Sequence, residues 1–256
     1  MRCRGGVGFD FSSLSRYVDQ SFRQLPRREA GEGSRTGSLM EDNNQAGRKN
    51  SPARNSASTG RLIVLEGIDG SGKSTQAGRL VERLGERGLE AILLREPSDG
   101  PWGRKIREKA ASRDSLTPEE ELELFVKDRR ENVERKIRPA LDRGRIVVLD
   151  RYYFSTMAYQ GAKGIDPVEI RRINEAFAVI PDLVIVLDIP ADDGLERIAG
   201  RGRRDWLFER EDYLCRVREI FLTLDDSYVR HVDASLPEDS VAAEIEALVL
   251  REIGIE

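Results

Sequence analysis

A short apolar strand that runs straight into G-x-x-x-x-G-K-S constrains this chain more than any other feature. Leu62-Ile63-Val64-Leu65-Glu66 leads into Gly67-Ile68-Asp69-Gly70-Ser71-Gly72-Lys73-Ser74-Thr75. Gly67, Gly70 and Gly72 let the backbone turn so that successive N–H groups point into one concavity. The helix expected to open near Gly72 adds its positive end. Lys73 is placed to reach the outer phosphates of a nucleotide, and the Ser74 hydroxyl to ligate Mg²⁺. The strand before and the amphipathic helix after are the context such a loop requires, so residues 67–75 are expected to bind phosphates.

Further apolar runs recur at Ala91–Leu94, Ile146–Leu149 and Leu183–Leu187, with a weaker one at His231–Val232. Each is short and continuous, the pattern of strands buried on both faces. Helical patterns separate them. The first, Gly72–Arg87, stops at Gly88. Thr117-Pro118-Glu119-Glu120 is a capping box with Pro at the first helical position, opening a long helix towards Arg143 that Pro139 should kink or end. Asp166-Pro167-Val168-Glu169 opens another, closed by Pro181. The alternation predicts an α/β fold: a P-loop NTPase-type parallel sheet of about five strands with helices on both faces.

Residues 1–60 do not share this pattern. They are rich in Gly, Ser, Arg and Asn, and they carry 10 Lys and Arg against 6 Asp and Glu, whereas residues 61–256 carry 32 against 40. A segment with so little periodic apolar surface cannot offset its ordering entropy. It is expected to be a disordered extension, with at most a short helix around Ser12–Gln24, preceding one domain over 61–256 that is long enough for a full core. Its Arg and Ser content suggests a weak transit peptide, its six acids argue against one, and Met40 is an alternative start. The acidic domain argues against nucleic-acid binding, and its local basic clusters suggest a small anionic ligand. Cys3 and Cys215 are too few and too far apart for a disulfide framework or zinc site. With no membrane-length apolar run and no secretory signal, a cytoplasmic protein is expected.

The chemistry must run without histidine catalysis, since His231 is the only histidine and lies in the weak last strand. Carboxylates, arginines, Lys73 and Mg²⁺ suit phosphoryl transfer. Asp150 and Asp188 each end a buried strand, where the ligand crevice of such a sheet lies; helix caps or loop turns are the alternative for each. Arg151 follows Asp150 directly. Arg197, Arg201, Arg203 and Arg204 form a cluster broken by Gly200 and Gly202. Such a charge run is usually a solvated face, but the glycines favour a mobile lid that carries arginines over phosphates. Phe125 and Arg129 share a helix face. The Phe alone would read as core; with the Arg it suits a base and a phosphate held together.

These residues resemble the thymidylate kinase family, the nucleoside-monophosphate kinases that make dTDP from dTMP and ATP. The loop reads EGIDGSGKSTQ (Glu66–Gln76), the second strand ends Arg95-Glu96-Pro97, and the long helix carries LFVKDR (Leu124–Arg129). The third strand ends LDRYYFSTMAYQG (Leu149–Gly161), the lid reads RGRRD (Arg201–Asp205), and a late strand gives Val232-Asp233-Ala234. The matches run in family order over residues 61–256. The resemblance implies that Gly67, Ile68, Asp69, Gly70, Ser71, Gly72, Lys73, Ser74 and Thr75 bind ATP phosphates, and that Ser74 and Asp150 hold Mg²⁺. Asp69 would sit near the sugar 3′-hydroxyl of dTMP, Arg129 and Arg151 would grip its phosphate and base region, and Phe125 would stack on thymine. Ser155, Thr156, Tyr159 and Gln160 would line the base and sugar edge, with Pro97 shaping the methyl pocket. The loop has no arginine, so Arg201 of the lid would complete the catalytic set with Asp69, Lys73 and Arg151. The acceptor oxygen is already deprotonated, so no general base is implied. The family also implies a homodimer. The chain departs from the common family pattern at Ser98-Asp99-Gly100, at Trp206 and in the position of Glu209. The competing readings are a same-fold kinase for another nucleoside monophosphate, a degenerate interaction protein, and a GTP switch. The switch is opposed by the absence of N-K-x-D at any of the six Asn residues.

Overall fold

The computed structural model describes residues 60–112, 116–199 and 207–255. Residues 1–59 of the expected disordered extension, with its short helix, and the lid arginines Arg201, Arg203 and Arg204 with Asp205 and Trp206, lie outside the described residues. Five strands form one all-parallel sheet: β1 (Arg61–Glu66), β2 (Ala91–Arg95), β3 (Ile146–Asp150), β4 (Leu183–Asp188) and β5 (Val229–Asp233). Their spatial order is β2-β3-β1-β4-β5. Each apolar run is a strand, but the burial differs. Leu62 to Leu65 of β1, all of β3 and nearly all of β4 are buried, whereas no residue of β2 and only Val229 and Val232 of β5 are, because those two strands are the edges.

The register sets the site. Asp150 pairs with both Leu65 and Arg95, and Asp188 with Asp233, so the carboxyl ends of the strands carry a row of charged residues. The connections lead first to one side of central β1 and then to the other, and this switch in strand order leaves a crevice at those ends. Helix α1 (Lys73–Glu86) leaves the phosphate loop and packs on β1, β2 and β3. Between β2 and β3 come α2 (Pro101–Ala111), α3 (Pro118–Asn132) and the short α4 (Arg138–Leu141). Beyond β3 lie α5 (Tyr153–Gly161) and α6 (Pro167–Glu175); beyond β4, α7 (Ala191–Ala199) and α8 (Leu207–Leu222); beyond β5, α9 (Glu238–Glu252), which packs against α1. Helix α5 is the hub of one cluster, contacting α3, α6 and α8.

The capping box at Thr117 forms as expected: its hydroxyl accepts from Glu120 N at 3.2 Å, and Glu120 Oε2 accepts from Thr117 N at 2.9 Å. The long helix does not run regularly to Pro139. It widens to a π-helix over Val133–Ile137, one turn upstream, where the proline ring would otherwise meet the carbonyl of Arg135. Helices α2, α5, α8 and α9 went beyond the helices expected from periodicity.

Candidate active site

The phosphate loop is built by close backbone approaches. Gly67 (φ 138°) passes so near the Leu187 carbonyl that a Cβ would lie 2.4 Å from it, and at Gly70 (φ 85°) a Cβ would lie 2.1 Å from Gly194 O on α7. Only glycine combines those conformations with those contacts. No side chain caps the start of α1, so its first-turn N–H groups stay free to face an anion. Lys73 is buried, and its ammonium donates to Ile68 O at 2.6 Å and Ser71 Oγ at 3.3 Å. Burial, reinforced by the positive charge of Arg151, pulls its pKa down to about 7. A cavity of about 720 Å³ opens above the loop, walled on its far side by Arg197, Ile198, Ala234 and Leu236. Arg197 donates to Ala234 O at 3.1 Å, so α7 and the turn after β5 close one edge of that cavity.

Asp150 stands at the loop's mouth. Its Oδ2 accepts from Ser74 Oγ at 2.6 Å and from Arg95 Nε at 3.1 Å, while its Oδ1 is buried without a partner. A hydroxyl beside a carboxylate with an unsatisfied oxygen is a donor set of the kind Mg²⁺ prefers. Asp188 takes no part. Both of its oxygens bind the Arg218 guanidinium, at 2.6 and 2.8 Å, an ion pair that ties β4 to α8. It is thus neither crevice ligand nor cap.

A second cavity, of about 660 Å³, is lined by Pro97, Phe125, Arg129, Thr156, Tyr159 and Gln160, with Ser155 also at its wall. Arg129 is 1% exposed. It donates to Glu96 at 2.8 Å, Asn174 Oδ1 at 2.6 Å and Thr156 Oγ1 at 3.0 Å, which uses three of its five N–H groups. Burial raises the pKa of Glu96, against the lowering pull of Arg129 and Asn132. Asp128, next along α3, accepts from both Ser98 N and Ser98 Oγ and so fixes the turn after Pro97. Gln160 donates its amide to Glu121 at 3.1 Å, leaving its buried Oε1 without a partner.

Two residues, Asp69 and Arg151, line both cavities. They form an ion pair, and Arg151 also donates to Ser155 Oγ at 3.2 Å. Burial would raise the Asp69 pKa, but Arg151 and Lys73 outweigh it and hold the carboxyl below its ordinary range. Arg151 is kept charged against its burial by Tyr159, Asp69 and Glu66. It is the one non-glycine residue with positive φ (71°) among the described residues.

An anion cradle and an aromatic-walled cavity thus meet at one carboxylate–guanidinium pair. A family model described as thymidylate kinase matches residues 65–245. The chain belongs to the thymidylate kinase family. Thymidylate kinase of Akkermansia muciniphila is 51% identical over 193 residues, 75% of this chain and 93% of the relative. That of Desulfotalea psychrophila is 47% identical over 73% of this chain and 92% of its own. A probable thymidylate kinase of Archaeoglobus fulgidus is likewise 47% identical, over 73% and 94%.

The loop residues, Asp150, Arg151 and the residues expected around a base therefore converge on one crevice, assembled from β1, β3, α3 and α5. Arg201, expected in the lid, lies outside the described residues. Glu66, Glu96 and Asn174, which anchor the site's arginines, were not among the expected site residues, nor was Tyr213 of α8, which lines the second cavity and donates to Tyr159 O at 2.9 Å. Glu66 alone had a readable signal: an acid closing a buried strand immediately before the loop.

Proposed function

We propose that this member of the thymidylate kinase family transfers the γ-phosphate of ATP to dTMP, giving dTDP and ADP, with the first cavity as donor site and the second as acceptor site. The observation that carries this reading is the meeting of the two cavities at Asp69 and Arg151. A phosphoryl group bound in one is then in reach of an acceptor in the other. The loop amides from Gly67 to Thr75 and Lys73 hold the ATP phosphates. Ser74 and Asp150 would hold Mg²⁺, a role that the unpartnered Asp150 Oδ1 supports; among the described residues no three His, Cys, Asp or Glu gather into a metal cluster, so phosphates and water would supply the remaining ligands. When bound there, the ion would offset the negative charge of the transferring phosphates.

On the acceptor side, Phe125 stacks on thymine, Pro97 bounds its methyl group, and Thr156 and Gln160 face its polar edge. Arg129 offers its two unused N–H groups to the base region, pre-set by Glu96 and Asn174. Arg151 grips the dTMP phosphate, Ser155 steadies Arg151, and Asp69 and Tyr159 meet the sugar. The attacking phosphate oxygen needs no base, so the chain's contribution is alignment and charge: Lys73 and Arg151 face the transferring group, and Arg201 joins them from the lid. The homodimer and the cytoplasmic setting belong to the same proposal, as does the domain division at residue 60. Among the described residues no helix is long and apolar enough to cross a membrane.

The test is ADP formation from ATP with dTMP, dUMP, dCMP and dGMP, with and without Mg²⁺. The highest kcat/KM is expected for dTMP with Mg²⁺. A higher value for another monophosphate would transfer the reading to a same-fold kinase of different specificity.

A further inference from the structure

The left-handed conformation of Arg151 is unusual for a residue with a Cβ, because it brings that atom close to the following carbonyl oxygen. Such a conformation persists only where its surroundings over-determine it. Here two consecutive residues of β1 do so. Arg151 N donates to Leu65 O at 3.1 Å, which continues the β1–β3 ladder one step past Asp150. The next N–H, that of Tyr152, donates to Glu66 Oε1 at 2.7 Å. Both peptide groups flanking the Arg151 Cα are thereby pinned to neighbouring positions of one strand.

Glu66 does more at the same point. It is fully buried, its Oε1 also accepts from Ser155 N at 3.1 Å, and its Oε2 accepts from Ser155 Oγ at 2.5 Å. Tyr152 is the residue before α5 and gives that helix no side-chain cap. The carboxylate of Glu66 thus takes the place of a side-chain cap, accepting from the Tyr152 N–H and sharing the Ser155 N–H with Tyr152 O, which lies 3.1 Å from that nitrogen. The same Ser155 hydroxyl accepts from Arg151 Nη1. Glu66 thus touches the Arg151 backbone's neighbour on one side and the partner of its guanidinium on the other, while the residue after it, Gly67, opens the phosphate loop.

We propose that Glu66 is a positioning residue: its carboxyl clamps the junction of β3 and α5 to the start of the phosphate loop and so holds the Arg151 guanidinium where the two cavities meet. The inference rests on the donor–acceptor reading above. It assigns Glu66 no contact with either substrate. Burial lifts the Glu66 pKa to about 7, so its accepting role at neutral pH does not depend on a full negative charge. A glutamine fits the same role: its carbonyl oxygen can accept both N–H groups, and its amide can donate to Ser155 Oγ once that hydroxyl turns from donor to acceptor.

The experiment is a double-mutant cycle in the full chain, with dTMP-dependent ADP formation as the readout. Glu66→Ala is expected to lower kcat about 100-fold, the scale of a roughly 1 Å misplacement, with the KM for ATP changed less than about threefold. Glu66→Gln is expected to recover most of that loss. In an Arg151→Ala background, Glu66→Ala should cost no more than about threefold, because Glu66 acts through Arg151. Equal losses in both backgrounds, a Glu66→Gln as impaired as Glu66→Ala, or a Glu66→Ala within a few-fold of wild type would overturn the inference. If Glu66→Ala fails to fold, Glu66→Asp, which withdraws the carboxyl by one methylene, is measured in both backgrounds against the same criteria. Absence of dTMP-dependent turnover in the unaltered protein would instead defeat the underlying reading, so the two failures are distinct.

Discussion

Lys73 shows how one side chain is poised for a ligand. Its ammonium is turned onto Ile68 O inside its own loop, and burial together with Arg151 leaves it with a pKa of about 7. Phosphates bound in the cradle favour the charged form and raise that value. At about pH 8 the free protein therefore holds Lys73 largely neutral, and ATP binding must take up a proton; Glu66, with a pKa also near 7, shifts in the same direction. Near pH 6 both groups are mostly protonated beforehand, and uptake should fade. Calorimetric titration with ATP in buffers of different ionisation enthalpy measures this. An apparent enthalpy independent of buffer at about pH 8 contradicts the assignment. Lys73→Ala should abolish turnover with dTMP while leaving the unfolding midpoint near wild type, and near-normal turnover would remove Lys73 from the donor site. Arg129 shows the opposite arrangement, a guanidinium fixed in advance by Glu96, Asn174 and Thr156, so that its position costs little further entropy on binding.

At the scale of elements, α3 presents Phe125 and Arg129, and its start is set by the Thr117–Glu120 box. Thr117→Ala should destabilise the protein by about 0.5–2 kcal/mol, read as a lower urea midpoint at unchanged slope. No shift in midpoint would mean that packing against α2 and α5, rather than the cap, fixes the helix. This cap was legible in the sequence because every part of it lies within four residues. The strands were legible because central parallel strands are continuous apolar runs. Helix α5 was not, since seven of its nine residues are buried, leaving no polar stripe to mark a period, and its cap comes from Glu66, far away in sequence. The π-helix at Val133–Ile137 was hidden for a related reason: Pro139 acts on the turn before it. In the site, the loop was legible as one contiguous motif. The Glu96–Arg129–Asn174 network was not, because its members meet only once α3, α6 and the end of β2 are packed.

At the scale of the molecule, the sheet brings β1 and β3 side by side, and their carboxyl ends place Asp69 and Arg151 at the boundary of two cavities. Everything this requires lies within residues 61–256, so a chain beginning at Thr59 is expected to keep the melting temperature and turnover of the full protein. A large loss of either would show that the first residues pack on the domain. The central claim is that the two cavities hold donor and acceptor at once, joined through the Asp69–Arg151 boundary. Its most direct test is inhibition by a single molecule carrying adenosine and thymidine joined through a chain of phosphates. This compound is expected to compete with both ATP and dTMP and to bind far more tightly than either, because one ligand then fills both cavities. Competition with only one of the two substrates, or affinity no better than that of ATP alone, would contradict it.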